Sequence, residues 1–221
     1  MSNTVFDIIG PIMIGPSSSH TAGAVRLGRV AWKMLEDEVA EAHIQFAGSF
    51  ATTGKGHGTD RAVIAGCLGM HSWYDDVPRS LEIAKEKGIV YSFENIDLPD
   101  AHPNTAIIHL IGKSGKESTV EGASIGGGNI FVKSVNGMDV EYTGQNNTIL
   151  IRHIDKPGVI AAVTNFMFYA ELNIASCRMS RKKRGGEALM MIETDNEVSD
   201  AFLESLKVLP NVINVILMKK L

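Results

Sequence analysis

Residues 148–163, TILIRHIDKPGVIAAV, mark a change of pattern that decides how the second part of the chain folds. Thr148–Ile154 is a β-branched, apolar run and reads as a strand. Asp155-Lys156-Pro157-Gly158 reads as a turn, because proline presets its own backbone angle and glycine accepts angles that other residues avoid. Val159–Glu171 then reads as an apolar helix and Ile174–Ser180 as a second strand. The charged, glycine-ended RKKRGG of residues 181–186 makes a loop, followed by a strand over Ala188–Glu193, a helix over Ser199–Val208 and a last strand over Val212–Met218. This βαββαβ order predicts a ferredoxin-like arrangement, in which two helices cover one face of a four-stranded antiparallel sheet. The boundary falls near residues 144–147, giving expected domains over 1–146 and 148–221.

Upstream the pattern is mixed. Ala24, Leu27, Ala31, Met34 and Leu35 recur at helical intervals and predict a helix over Thr21–Glu38 that exposes Arg26, Arg29 and Lys33. A strand is expected near His43–Phe50, then a glycine-rich loop, TTGKGHGTD at residues 52–60, then a helix over Arg61–Met70. Pro78 can open another helix ending near Gly88, and Ile89–Phe93 and Thr105–Gly112 read as strands. Asn136-Gly137, between NIFVKSV and MDVEY, is a strong hairpin signal, because it suits a turn with two positive φ angles. The class is therefore α+β, an N-terminal α/β domain followed by the βαββαβ module.

Composition excludes several functions. Of 221 residues 44% are hydrophobic, enough for packed cores, and the formal charge of -4 supplies no general positive field for nucleic acid. Arg181–Arg184 lies among Glu171, Glu187, Glu193 and Asp195 without interleaved aromatics, and reads as a solvated hairpin tip. The start of the chain shows no basic segment leading into an apolar stretch and cleavage site, and no apolar run reaches the ~18–20 residues of a membrane span. The two cysteines, Cys67 and Cys177, are far apart in sequence and suggest neither a disulfide framework nor a CxxC metal site. A cytoplasmic protein with no nucleic-acid or membrane partner is expected.

Four polar clusters are candidates for chemistry. In GPSSSHTAGA, residues 15–24, the serines stand where a helix begins, and uncommitted N–H groups at such an end favour an anion. Ser17, Ser18, Ser19, His20 and Thr21 together suit a small carboxylate bearing a hydroxyl or amino group; a serine-rich turn with a surface histidine is the plainer alternative. His57 lies between glycines, where a substrate can approach closely. The spacing is wrong for a nucleotide phosphate loop, and glycines beside Lys55 supply no apolar pocket for a Schiff-base lysine. His102-Pro103-Asn104-Thr105 and Gly126-Gly127-Gly128-Asn129 are either further site elements or loop punctuation.

The C-terminal part resembles an ACT domain, an amino-acid-sensing module, through IRHIDKPGVIAAV at Ile151–Val163 and ELNIASCRMSR at Glu171–Arg181. The resemblance implies an effector site at Asp155, Gly158 and Asn173 and a homodimer formed through paired sheets; the turn can equally serve dimerisation alone. GPSSSHTAGAVRLGR, GSFATTGKGHGTDRA, HPNT and SIGGGNIF, in that order, resemble the beta chain of the two-chain, iron-sulfur L-serine dehydratases. The N-terminal domain is also similar to the allosteric substrate-binding domain of some 3-phosphoglycerate dehydrogenases.

The dehydratase resemblance implies conversion of L-serine to pyruvate and ammonia at an oxygen-sensitive 4Fe-4S cluster, without pyridoxal phosphate. A cluster of this kind takes at least three protein thiolates, and this chain has two cysteines. The cluster ligands are therefore expected on a separate alpha chain, and no metal ligands on this one. By the same resemblance Ser17, Ser18, Ser19, Thr21, Asn104 and Thr105 bind substrate, and His57 is the α-proton base with His20 as the alternative. Two other readings stay open: a non-catalytic regulatory subunit that binds serine or a related acid, and a free-standing sensor or transcriptional co-regulator.

Overall fold

The computed structural model describes residues 12–220, apart from the Lys55 side chain. The expectation about a leader at the chain start concerns residues 1–11, outside the described residues. Two compact units divide the chain, Met1–Asn136 and Gly137–Leu221. Their division falls in the Asn136-Gly137 turn, where φ is 51° and 72°, the two positive angles that this pair was expected to supply.

In the first unit a π-helical segment, Ser18–Gly23, runs into α1 (Ala24–Leu35), which buries Ala24, Val25, Leu27, Val30, Ala31 and Leu35. Strand β1 (Val39–Phe46) follows, then α2 (Gly48–His57) and α3 (Thr59–Cys67). A 3-10 turn over Val77–Arg79 leads into α4 (Ser80–Glu86), and β2 (Val90–Asn95) returns parallel to β1. Antiparallel strands β3 (Thr105–Gly112), β4 (Glu117–Gly126) and β5 (Asn129–Val135) continue the sheet in the order β2-β1-β3-β4-β5, and β6 (Met138–Tyr142) opens the second unit.

The expected loop at residues 52–60 is not a loop. All of Gly48–His57 is helical, and only Gly58, at φ 70°, interrupts the helix before α3 resumes at Thr59. Interior glycines cost a helix about 1 kcal/mol each relative to alanine. Tertiary anchoring offsets that cost: the Pro103 carbonyl accepts from Ser49 N at 2.6 Å and from Phe50 N at 3.3 Å, satisfying the open N-terminus. The Phe50 side chain, 1% exposed, packs edge-on against Phe46.

α1 and α3 meet at glycines. A Cβ on Gly66 would stand 2.1 Å from Val25 O and 2.8 Å from Gly28 Cα, so the backbones touch where side chains would hold them apart.

The second unit follows the expected order: β7 (Asn147–Ile154), α5 (Val159–Tyr169), β8 (Ile174–Arg181), β9 (Glu187–Thr194), α6 (Asp200–Lys207) and β10 (Val212–Met218). The sheet order is β10-β7-β9-β8, antiparallel throughout. Its core joins Ile149, Ile151, Met190, Ile192 and Val215 of the strands to Val163 and Met167 of α5 and Leu203 and Leu206 of α6. The molecule is thus α+β with two sheets, and no described helix is long and apolar enough to cross a membrane.

Candidate active site

The site is built where the start of the first helix meets one face of α2. Ser17 is extended and caps the π-helical segment, its hydroxyl accepting from His20 N–H at 3.2 Å. The His20 side chain is buried, 9% exposed, and its ring lies edge-on to Phe50, with centroids 5.2 Å apart. Hydroxyls surround both its nitrogens. Ser19 Oγ is 3.2 Å and Ser17 Oγ 3.5 Å from Nδ1, while Thr53 Oγ1 is 3.1 Å and Ser49 Oγ 3.4 Å from Nε2.

His57 ends α2 and is exposed, its ring centroid 4.9 Å from that of His20. Its Nδ1 is 3.2 Å from the Thr53 carbonyl oxygen. A carbonyl only accepts, so Nδ1 carries the hydrogen and Nε2 keeps a lone pair on the open side. Burial lowers the His20 pKa below the usual 6.5, the neighbouring His57 lowers it further, and the Ser49 carbonyl opposes both. His20 is thereby held neutral near pH 7.

The remaining expected residues fall in several places. Ser18 lies in the same helical opening. Thr21 is buried against Gly15, and its hydroxyl has no hydrogen-bond partner among the described residues. Thr105 donates to His102 O at 2.7 Å, and Asn104 Nδ2 to Ser124 O at 3.3 Å, so both residues brace the loop whose Pro103 carbonyl caps α2. The glycine loop is tied to α1 through Arg26, which donates to Gly128 O at 2.6 Å.

Ser49 and Thr53 join this candidate site through their contacts with His20 Nε2, and the sequence reading missed them. With His57 they stand at intervals of four along α2, hence on one helix face. Read as a loop, the segment showed no such stripe; read as a helix, it would have.

In the second unit, Asp155 is already engaged. Its carboxylate accepts from Arg181 and, at 3.0 Å, from Gly185 N–H, and the Gly185 bond followed by Arg181 holds its pKa below the usual 3.8. Gly158, at φ 92°, starts α5 beside it. Asn173 is not brought to them within one chain. It precedes β8 at the end where β8 pairs with Thr194 and binds Asp195 and Asn196, whereas Asp155 follows β7 at the opposite end of that sheet.

The thiols do not fit an iron-sulfur cluster. Cys67 is 1% exposed inside α3 and its pKa is pushed up to about 12 by burial; Cys177 is exposed on β8 in the other unit. Among the described residues, no group of three His, Cys, Asp or Glu side chains is placed to hold a metal ion.

A family profile described as serine dehydratase beta chain matches residues 4–87, which include Ser17–Thr21, Ser49, Thr53 and His57. Over 212 residues the chain is 44% identical to a probable L-serine dehydratase beta chain from Bacillus subtilis (strain 168), covering 96% of each. This chain belongs to the serine dehydratase beta chain family. The L-serine dehydratase beta chain of Peptoniphilus asaccharolyticus is 38% identical over 90% of each chain. A D-3-phosphoglycerate dehydrogenase of Bacillus subtilis is 25% identical over 87% of this chain but only 36% of its own length.

Proposed function

We propose that this chain is the beta subunit of an L-serine dehydratase, an L-serine ammonia-lyase of amino-acid catabolism, active together with a separate alpha chain. The observation that carries the reading is the pairing of His57, with its Nε2 lone pair free, and a buried neutral His20 ringed by serine and threonine hydroxyls.

The reaction removes the α-proton and the β-hydroxyl of serine as water, and the resulting enamine hydrolyses to pyruvate and ammonia. Ser18 and Ser19, at the positive end of the opening helix, would bind the substrate carboxylate, because open N–H groups and the helix dipole both favour an anion. His57 Nε2 takes the α-proton; it is exposed and its other nitrogen is anchored, whereas both nitrogens of His20 face protein hydroxyls. Ser17 and Thr21 shape the helix opening, and Asn104 and Thr105 hold the loop behind α2. Departure of the hydroxyl falls to groups outside this chain. A 4Fe-4S cluster is assigned to the alpha chain, because the two thiols here cannot form its site, and pyridoxal phosphate has no role.

The first domain is read as an allosteric-substrate-binding-like scaffold over 1–146 and the second as an ACT domain over 148–221. The β10-β7-β9-β8 sheet with two helices supports the latter. An effector at Asp155, Gly158 and Asn173 would need two chains, since one chain separates these residues. A homodimer through this domain is supported by Ile160, Phe168 and Tyr169, exposed on α5, and by β8 at the sheet edge. Cytoplasmic residence is supported by the separated, unpaired cysteines.

Pyruvate formation from L-serine under strict anaerobiosis tests the proposal, with the chain alone and with the chain recovered together with its partner. Activity should appear only in the second sample and track its iron. His57→Ala should abolish turnover while partner recovery and serine binding persist; an active variant removes His57 as the base. Serine binding without turnover in either wild-type sample would leave a regulatory subunit, the reading that the phosphoglycerate dehydrogenase likeness favours.

A further inference from the structure

Thr53 stands one helical turn before His57 and touches both histidines through different atoms. Its carbonyl oxygen, 3.2 Å from His57 Nδ1, can only accept, which puts the ring hydrogen on Nδ1 and leaves Nε2 bare. Its hydroxyl has one proton, donated to Ser49 O at 2.8 Å within the helix. Towards His20 Nε2, at 3.1 Å, the same oxygen therefore acts as acceptor, and Nε2 carries the hydrogen. His20 Nδ1 is then the lone-pair nitrogen, facing the Ser19 hydroxyl at 3.2 Å and the Ser17 hydroxyl at 3.5 Å.

We infer that Thr53 is the positioning residue that fixes the two imidazoles in opposite tautomers, His57 through its carbonyl and His20 through its hydroxyl. The inference rests on the proposed dehydratase reading only for its consequence in turnover. A base needs a bare nitrogen towards its substrate, and an imidazole that changes tautomer turns a donor into an acceptor at the same place. Here the bare Nε2 of His57 is available to Cα. The bare Nδ1 of His20 accepts from Ser19 and orients that hydroxyl beside the helix N-terminus. Ser49 assists without replacing Thr53: its hydroxyl is 3.2 Å from Thr53 Oγ1 and farther from His20 Nε2, at 3.4 Å. The Ser49 carbonyl, which favours the charged form of His20, accords with an N–H directed towards this helix.

The full chain with nitrogen-15-labelled histidine, read by long-range proton–nitrogen correlation NMR, tests the assignment without turnover. His20→Gln and His57→Gln identify the two ring signals. Near pH 7, His57 should be the Nδ1–H tautomer and His20 the Nε2–H tautomer; His20 as Nδ1–H overturns the inference. Thr53→Val keeps the side-chain shape and the backbone carbonyl but removes the hydroxyl. His20 should then lose its preference while His57 keeps its own, and Thr53→Ser should restore that of His20.

In the complex with the partner, kcat/KM for L-serine should fall about 10- to 100-fold in Thr53→Val and recover in Thr53→Ser. An unchanged His20 tautomer in Thr53→Val, or an unchanged kcat/KM despite a changed tautomer, overturns the positioning role. Expected tautomers in a wild-type complex that does not turn over serine would instead overturn the proposed function.

Discussion

His20 and His57 share one small site but not one environment, and the difference is electrostatic. His20 gives up hydration and sits beside a second imidazole, so its charged form is disfavoured; His71 is shifted in the same direction, by burial first and then by Arg29. Both have folded pKa values below the unfolded 6.5. Above 6.5 both states are neutral there and the contribution to stability is complete. As pH falls below 6.5 the unfolded chain binds these protons first, so stability declines until the folded pKa values are passed. Asp155 acts in a lower window. Its folded pKa lies below 3.8, so the stability it contributes is present above 3.8 and is lost as pH falls from there through the folded value. Calorimetry across this range should show a melting temperature that drops below pH 6.5, and His20→Asn should flatten the drop. A melting temperature constant from pH 7 to the 3.8 region would contradict the assignment.

At the scale of elements, the site depends on two helices touching at glycine. Gly66→Ala should destabilise the chain by about 1–3 kcal/mol or more, because its Cβ would meet the Val25 carbonyl at 2.1 Å, and a backbone atom cannot rotate away. Thermal unfolding followed by circular dichroism measures it, and an unchanged melting temperature would show that the crossing tolerates a methyl group. Strands β3 and β10 coincide with the runs read from sequence, since a β-branched run bounded by turn residues has a local signal. α2 had none, because two interior glycines weaken its propensity, while the Pro103 carbonyl and buried Phe50 that stabilise it are supplied by the fold. His20, His57 and the serines were legible as polar residues in odd company. Ser49 and Thr53 were not, because their shared face exists only once α2 is a helix.

At the scale of the whole molecule, the apolar residues left on α5 bear on assembly. Phe168 is 74% and Tyr169 80% exposed, an arrangement more consistent with a covered surface than with a solvated one. Light scattering on the full chain should report a dimer, and Phe168→Asp with Tyr169→Ser should convert it to a monomer with its circular dichroism unchanged; a dimer that survives both places the contact elsewhere. The sequence by itself determined the βαββαβ order, the hairpin at Asn136-Gly137 and the polar motifs, because periodicity and turn chemistry act over a few residues. Only the tertiary structure decided that residues 48–57 are helical, that Thr53 meets both histidines, and that Asp155 and Asn173 stand at opposite ends of one sheet. Those facts depend on contacts between residues distant in sequence, whose energies local composition does not contain.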